Sequence, residues 1–490
     1  MNRTPKRRRA DLVRIATETM TERGLAPEFG PTVAAQLASI SGPGRDADTR
    51  IADLRSMPWC SIDNDDSRDL DQLTACELLP DGAIKVFVAV ADVDVLVGKG
   101  SAIDDHARFN TTSVYTSARI FPMLPERLST DLTSLNPGQD RLAIVTTMVI
   151  AADATLTQAT VQRARVHNQA KLAYDALSAW IEDGAALPAA AAAVPGLEQQ
   201  LRTQDDVAQR LRARRRAEGA LEFETLQPRA VYEGEHVVEI RQQVQNRARQ
   251  LIEEFMIATN QATAQFLAAH GGASLRRVVR SPERWARIVA EARKYGHTLP
   301  AAPDARALEV FLAKRRAADP LRFPDLSLVI VKLMGSGEYV VEQPGAAPIG
   351  HFGLALRDYT HSTAPNRRFP DLITSRQLKA VLGGSPPPYS VAELGALAAH
   401  CSQQEDAAQK VERKLRKCEA ALLLESHVGQ RFDAIVTGRN EHSTWVRTLS
   451  PPVEGMLSGR APELDIGQRV EVRLVATDVE RGFIDFEFLH

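Results

Sequence analysis

Five aspartates fall within the twelve residues SIDNDDSRDLDQ (61–72): Asp63, Asp65, Asp66, Asp69 and Asp71. Carboxylates this dense repel one another, so such a segment belongs either in solvent or around bound cations. A calcium loop of the EF-hand type is excluded. With Asp63 at position one, position six is Arg68 where glycine is needed, and position twelve is Thr74 where a bidentate glutamate is needed. A solvated acidic turn accounts for the charge but not for Trp59, Ile62, Leu70 and Leu73, which flank the stretch and pin it to a core. The remaining chemistry is phosphoryl transfer. Two divalent ions about 4 Å apart activate a water and stabilise a leaving oxygen, and magnesium binds through a few carboxylates plus substrate phosphate. Spacing alone does not decide between the last two readings.

The elements that must position these residues read as α+β. IKVFVAVADV (84–93) and RLAIVTTMVIAA (141–152) are apolar, β-branched runs of the kind buried on both faces of a sheet. Helical patterns dominate from about 160 to 335, with residues 217–240 reading as a hairpin insertion. There is no regular βα alternation and no glycine-rich phosphate loop. Two capping boxes, Ser390 with Glu393 and Ser402 with Glu405, predict two helix starts after the break GGSPPPYS. Beyond His427, alternation such as Val470, Val472 and Leu474 against Glu471 and Arg473 predicts a small five-stranded barrel of the OB type. Phe432 and Trp445 are its candidate base-stacking aromatics, each weighed against core packing.

Residues 1–55 read as two short helices, with Leu12, Ile15, Ala16 and Met20 on one face and Val33, Leu37 and Ile40 on the next. They form either a helix-turn-helix contact for nucleic acid or a cap on the following domain. The expected domains are therefore 1–55 (helical, helix-turn-helix-like), 56–426 and 427–490. A net charge of −2 over 490 residues names no partner, although the start (Arg3, Lys6, Arg7, Arg8, Arg9) and the run RLRARRR (210–216) are locally basic. Four scattered cysteines without a C-x-x-C pair point to a reducing compartment. No apolar h-region follows the basic start, and GAALPAAAAAVPGL is too short to span a bilayer, so a cytoplasmic protein without a membrane partner is expected.

Three longer stretches sharpen the acidic motif: residues 100–144 (GSAIDDHARFNTTSVYTSARIFPMLPERLSTDLTSLNPGQDRLAI), 350–372 (GHFGLALRDYTHSTAPNRRFPDL) and 401–414 (CSQQEDAAQKVERK). With SIDNDDSRDLDQ they resemble the catalytic RNB domain of the ribonuclease II and ribonuclease R family over roughly residues 57–425, and the C-terminal barrel is similar to the S-one type OB domain that follows it there. The resemblance implies a processive 3′→5′ exoribonuclease that uses Mg²⁺, or Mn²⁺ in its place, acts by a two-metal mechanism on single-stranded RNA 3′ ends, and releases 5′-nucleoside monophosphates. It implies that Asp63, Asp69 and Asp71 form the metal site, with Asp69 and Asp71 closest to the chemistry, and that Arg367 supports the transition state.

The family pattern places a fourth aspartate where this chain has Gln72. Either the Gln72 amide ligates the metal or Asp65 or Asp66 takes over. Tyr115 and Phe223 match the aromatics that stack the 3′-terminal bases, Tyr174 and Glu253 match positions linked to sugar recognition, and Glu412 matches a glutamate near the last nucleotide. Arg368 is either a second RNA contact or an anchor for backbone or a carboxylate, and Asn366 replaces an apolar residue of the pattern. Cold-shock barrels are expected to be absent ahead of the RNB domain. In their place the N-terminal helices and the C-terminal barrel would share RNA capture and admit structured RNA. A monomer suffices. The runner-up is a non-catalytic RNA-binding protein that kept the fold, a reading that Gln72 motivates.

Overall fold

The computed structural model describes residues 9–224, 228–242, 245–440, 443–458, 464 and 466–489. The basic residues Arg3, Lys6, Arg7 and Arg8 lie outside them. Two helices lead, α1 (Arg9–Glu22) and α2 (Pro31–Ser39). The strand-rich part follows, with β1 (Ala52–Asp53), β2 (Cys60–Asp63), β3 (Gln72–Leu78), β4 (Ile84–Ala91), α3 (Ala102–Asn110), β5 (Val114–Tyr115), β6 (Ile120–Phe121), β7 (Asp140–Ile150), β8 (Leu156–His167) and β9 (Ala170–Ala173). Next come α4 (Tyr174–Asp183), α5 (Ala189–Ala192), α6 (Leu197–Ala217), a hairpin of β10 (Pro228–Glu233) and β11 (His236–Gln242), and α7 (Arg247–Ala269). β12 (Ser274–Val278) and β13 (Glu338–Glu342) bracket α8 (Trp285–Lys294), α9 (Ala305–Ala318) and α10 (Phe323–Met334). Then come α11 (Phe369–Gly383), α12 (Val391–Leu424) and the strands β14 (Arg431–Arg439), β15 (Thr444–Thr448), β16 (Glu454–Leu457), β17 (Arg469–Asp478) and β18 (Phe483–Phe488).

Seven strands form one mixed sheet in the order β1-β8-β7-β4-β3-β2-β9, antiparallel through its centre and parallel at both edges. The period of two decides the layering. On β4, Phe87, Ala89 and Ala91 enter a core shared with α3 and α11, whereas Ile84, Val86, Val88 and Val90 enter another shared with α4, α6 and α7. Both apolar runs read from the sequence are thus central strands, each covered on two sides. β8 and β9 occupy a stretch where helical pattern was expected. Val161, Ala164 and Val166 are its buried residues, and their uneven spacing, broken by Arg163 and Arg165, disguises the alternation.

α12 is one uninterrupted helix of 34 residues, not two. The Ser390–Glu393 capping box is formed. Ser402 is interior instead: its hydroxyl donates to the Ala398 carbonyl at 2.9 Å and accepts from the Tyr339 N–H, while Glu405 pairs with Arg277. A serine–glutamate pair at capping spacing lacks force where the chain before it already favours helix.

The C-terminal strands close a five-stranded barrel in the order β14-β15-β16-β18-β17. Phe432 packs edge-on against Phe486 at 6.1 Å, so it serves the core, whereas Trp445 is half-buried on the outer face beside Met456. The N-terminal helices have no core of their own. Leu12, Ile15, Ala16 and Met20 of α1 join the cluster that contains Val411 and Leu415 of α12 and the barrel's Val436 and Val472, while Val33 of α2 belongs to the sheet core. The two helices of 1–55 are thus seated on different parts of the body, where each narrow apolar face finds its complement. Among the described residues no helix is long and apolar enough to cross a membrane.

Candidate active site

The acidic segment leaves β2 at Asp63 and enters β3 at Gln72, so sheet geometry fixes both its ends. Between them the chain is tied down by its own backbone. Lys171 on β9 donates to the carbonyls of Asp65 (3.0 Å) and Ser67 (2.7 Å), and buried Leu70 exchanges hydrogen bonds with Ser134 and Leu135. This sorts the five aspartates. Asp65 and Asp66 are exposed to solvent. Asp63 and Asp69 are half-buried, and the Ser67 hydroxyl lies between them, 2.9 Å from Asp63 Oδ2 and 3.4 Å from Asp69 Oδ1. Asp71 is buried.

Asp71 is gripped by the loop before α11. The Asn366 N–H donates to Oδ1 at 3.1 Å, and Arg367 Nε lies 3.2 Å from Oδ2. Burial pushes the Asp71 carboxyl up to about 7, against the pull of Arg367 and with the help of the nearby Asp69 charge. Only part of the Arg367 guanidinium is used: its two terminal nitrogens have no protein partner among the described residues, and the side chain is 44% exposed. Arg368 turns inward instead, donating to Asp371 at 2.7 Å beneath the N-terminus of α11. Of its two sequence readings the carboxylate anchor is present as this ion pair, with the Arg368 side chain 23% exposed. The polar replacement Asn366 is buried and pairs with the Thr133 hydroxyl at 2.5 Å, which explains how a polar residue is housed there.

Two further expected residues join by direct contact. The Tyr115 hydroxyl donates to Asp69 Oδ2 at 3.0 Å, and the Tyr115 N–H donates to Glu412 of α12 at 3.0 Å. Burial raises both the Tyr115 phenol and the Glu412 carboxyl above their ordinary ranges. Tyr174, at the first turn of α4, lies under the Arg249 guanidinium (4.4 Å to the ring centroid), and Arg249 also donates to Asn64 at 2.9 Å. Arg249 was not singled out by sequence reasoning, although it sits one helical turn before Glu253 and shares a face with it.

Glu253 and Phe223 have no direct tie to the carboxylates among the described residues. Glu253 is exposed on α7, and Phe223 is half-buried against the α8–α10 cluster of Trp285, Phe311 and Ile330. The residue before Phe223 is held firmly: Glu222 pairs with Arg212, Arg216 (3.6 Å) and Arg316. The basic run RLRARRR is spent in this way. Arg210, Arg212, Arg214, Arg215 and Arg216 all pair with carboxylates of the same chain.

Among the described residues no three histidine, cysteine or acidic side chains are gathered closely enough to cage a metal ion by themselves. The expected set of Asp63, Asp69, Asp71 and Gln72 is thus spread along the segment that joins β2 to β3, with the Gln72 side chain making no hydrogen bond to any described residue. The donors are nevertheless all oxygen, and burial holds the Asp71 carboxyl up at about 7 even with Arg367 beside it. Such an open, hard donor set suits an ion that completes its shell with water and phosphate.

Comparison with known proteins adds the following. Residues 51–384, more than half of the chain, match the RNB domain, and residues 430–489 match the RNase II-type exonuclease C-terminal S1 domain. Ribonuclease R 1 of Lactococcus lactis subsp. lactis is 28% identical over 96% of this chain and 60% of its own length, and Ribonuclease R of Vibrio parahaemolyticus is 30% identical over 89% and 56%. The chain therefore spans little more than half the length of these relatives. Mycoplasma genitalium RNase R, whose structures include an apo form and complexes with ribose-methylated single-stranded RNA and with double-stranded RNA, shares the fold. Its apo form superposes with a TM-score of 0.88 over 98% of this chain and 78% of that one, at 21% identity. The helix α12, which lies between the two matched regions, is where the carboxylate that fixes Tyr115 comes from. The chain belongs to the RNB-domain family, joined to a C-terminal S1 domain of the RNase II type.

Proposed function

We propose that this chain is a 3′→5′ exoribonuclease that hydrolyses single-stranded RNA processively to 5′-nucleoside monophosphates with Mg²⁺, Mn²⁺ serving in its place. The observation that carries this reading is Asp71, buried and held from two sides by consecutive residues while the rest of Arg367 stays open to a substrate. Asp63, Asp69 and Asp71 would hold the cations. When bound, these lower the pKa of water and stabilise charge on the leaving ribose oxygen.

The chain's own groups do the remaining work. Arg367 offers its two free nitrogens to the scissile phosphate, where charge grows during in-line displacement. Tyr115 presents its ring to the last bases while its hydroxyl keeps Asp69 oriented. Stacking of this kind contributes about 1–3 kcal/mol per base without reading sequence, which suits stepwise digestion. Tyr174 and Glu253 would offer a phenol and a carboxylate to a 2′-hydroxyl, the feature that separates RNA from DNA. Phe223, on its anchored segment, supplies the second stacking face. The capture of RNA falls to the barrel, with Trp445 on its outer face. The two RNA complexes of the M. genitalium fold neighbour support admission of both single and paired strands.

The test is digestion of 5′-labelled single-stranded RNA with Mg²⁺. Mononucleotide release with a short end product and no ladder is expected, together with its loss in Asp71→Asn. Tightly bound but intact RNA favours the non-catalytic reading that Gln72 motivates.

A further inference from the structure

The turn that carries Tyr115 has little structure of its own. β5 and β6 are two residues each, and the 116–119 connection closes on itself through Thr116 Oγ1, which donates to the Arg119 carbonyl at 2.6 Å and accepts from the Arg119 N–H at 3.0 Å. A ladder this short is marginal alone, so its place is fixed from outside. α12 does this at two points. Glu412 takes the Tyr115 N–H, and Glu419, seven residues on and so on the same helix face, meets Ser117, whose hydroxyl and N–H both favour the charged carboxylate.

Distant parts of the chain converge on the same spot. The Tyr232 hydroxyl of β10 donates to Glu419 at 3.3 Å. Arg9, the first residue of α1, donates to the Ala118 carbonyl at 2.9 Å, lies 5.1 Å from the Tyr232 ring centroid, and bonds the Glu235 carbonyl of the hairpin through its N–H. Glu419 is only 2% exposed, yet no ion pair reaches it among the described residues. A buried carboxylate without a paired cation works against folding, and an apolar residue would serve stability better.

We propose that Glu419 is a positioning residue: from α12, with Tyr232 and Arg9, it moors the 115–119 turn so that Tyr115 keeps its ring toward the RNA end and its hydroxyl on Asp69. This rests on the reading of Tyr115 as a stacking surface. It also gives the hairpin and the start of α1 a task in cleavage that needs no contact with RNA.

The test uses the full chain as Glu419→Ala, Glu419→Gln and Tyr115→Ala. Two quantities are measured: backbone amide exchange at residues 115–118, and KM and kcat on a short oligonucleotide, which has only its last bases to hold by, and on a long RNA. Glu419→Ala is expected to speed exchange of the turn roughly five- to tenfold, the worth of one buried hydrogen bond. It also raises KM for the short RNA several-fold more than for the long one, while kcat on the long RNA stays within about twofold. Glu419→Gln, which keeps an acceptor for Tyr232 and Ser117, restores both.

Unchanged exchange in Glu419→Ala overturns the proposal, as does an equal loss on both RNA lengths that merely follows a lowered melting temperature. Should Glu419→Ala fail to fold, Tyr232→Phe, which deletes one donor, carries the same comparison. If Tyr115→Ala leaves the short-RNA KM untouched while Glu419→Ala still loosens the turn, the stacking role fails and the mooring stands.

Discussion

Arg367 Nε lies 3.2 Å from Asp71 Oδ2, the one side chain nearly half open to solvent and the other 3% exposed. The pair thus joins a buried anion to a cation that faces outward. Arg367→Ala is expected to lower kcat about 10²–10³-fold, in line with loss of one preorganised donor to a transition state. Arg367→Lys recovers little, because a single ammonium cannot hold Asp71 and reach a phosphate with separate nitrogens. Single-turnover digestion of a labelled RNA measures both.

Gln72→Asp adds a carboxylate next to Asp71 on the first residue of β3. One extra negative charge close to a divalent cation is worth roughly 1–2 kcal/mol at a partly screened site. The Mg²⁺ concentration for half-maximal activity is therefore expected to fall about tenfold. A metal titration that shows no shift would place residue 72 out of the ions' reach.

Glu419 also links stability to pH. Burial raises its folded pKa from 4.5 to about 7, so between these values the folded chain keeps a proton that the unfolded chain has lost. Stability from this group therefore falls as pH rises through that window, and the full cost stands above pH 7. Glu419→Gln removes the cost. It is expected to be more stable than the parent by on the order of 1–3 kcal/mol at pH 8, and the gain vanishes toward pH 4. Urea unfolding at several pH values checks this.

Arg447 on β15 and Asp325 on α10 form a largely buried, bidentate pair between the barrel and the α8–α10 helices. Removing one partner leaves a buried charge. Arg447→Ala is expected to destabilise by about 2–4 kcal/mol and to expose the barrel to proteolysis before the rest of the chain unfolds. The double variant Arg447→Leu with Asp325→Leu should recover much of the loss.

Ile15→Ala in α1 is expected to cost about 2–4 kcal/mol, because this residue is buried between α12 and the barrel. Removing residues 1–50 altogether would strip the cover from Val411 and Leu415. A fall in RNA affinity in that deletion is therefore a test of the helices as an RNA contact only if the melting temperature is unchanged.

The sequence made local features plain wherever one signal acted alone. The alternating run at 84–91, the acidic stretch, the Ser390 cap and the barrel alternation each had a single dominant cause, and the strands, the cap and the barrel are found where expected. Misreadings arose where two signals competed. Arg163 and Arg165 interrupt the apolar rhythm of β8, and Ser402 with Glu405 imitates a helix start inside a helix. Partner choice was hidden altogether. Nothing in the sequence says that Arg367 will go to Asp71, nor that Arg215 and Arg216 of α6 will be consumed by Glu222, Glu254 and Glu309. Those pairings follow from which helices come to lie side by side, and so does the link from Tyr115 to Glu412, residues 297 positions apart.

α12 runs without a break for about 50 Å at the usual rise per residue. Its far end is packed into the barrel and its middle holds the tyrosine beside the carboxylates. A stiff rod anchored in this way acts as a lever. A tilt of the barrel is therefore carried along α12 to the turn that bears Tyr115, so the two ends of the rod share one mechanical coordinate.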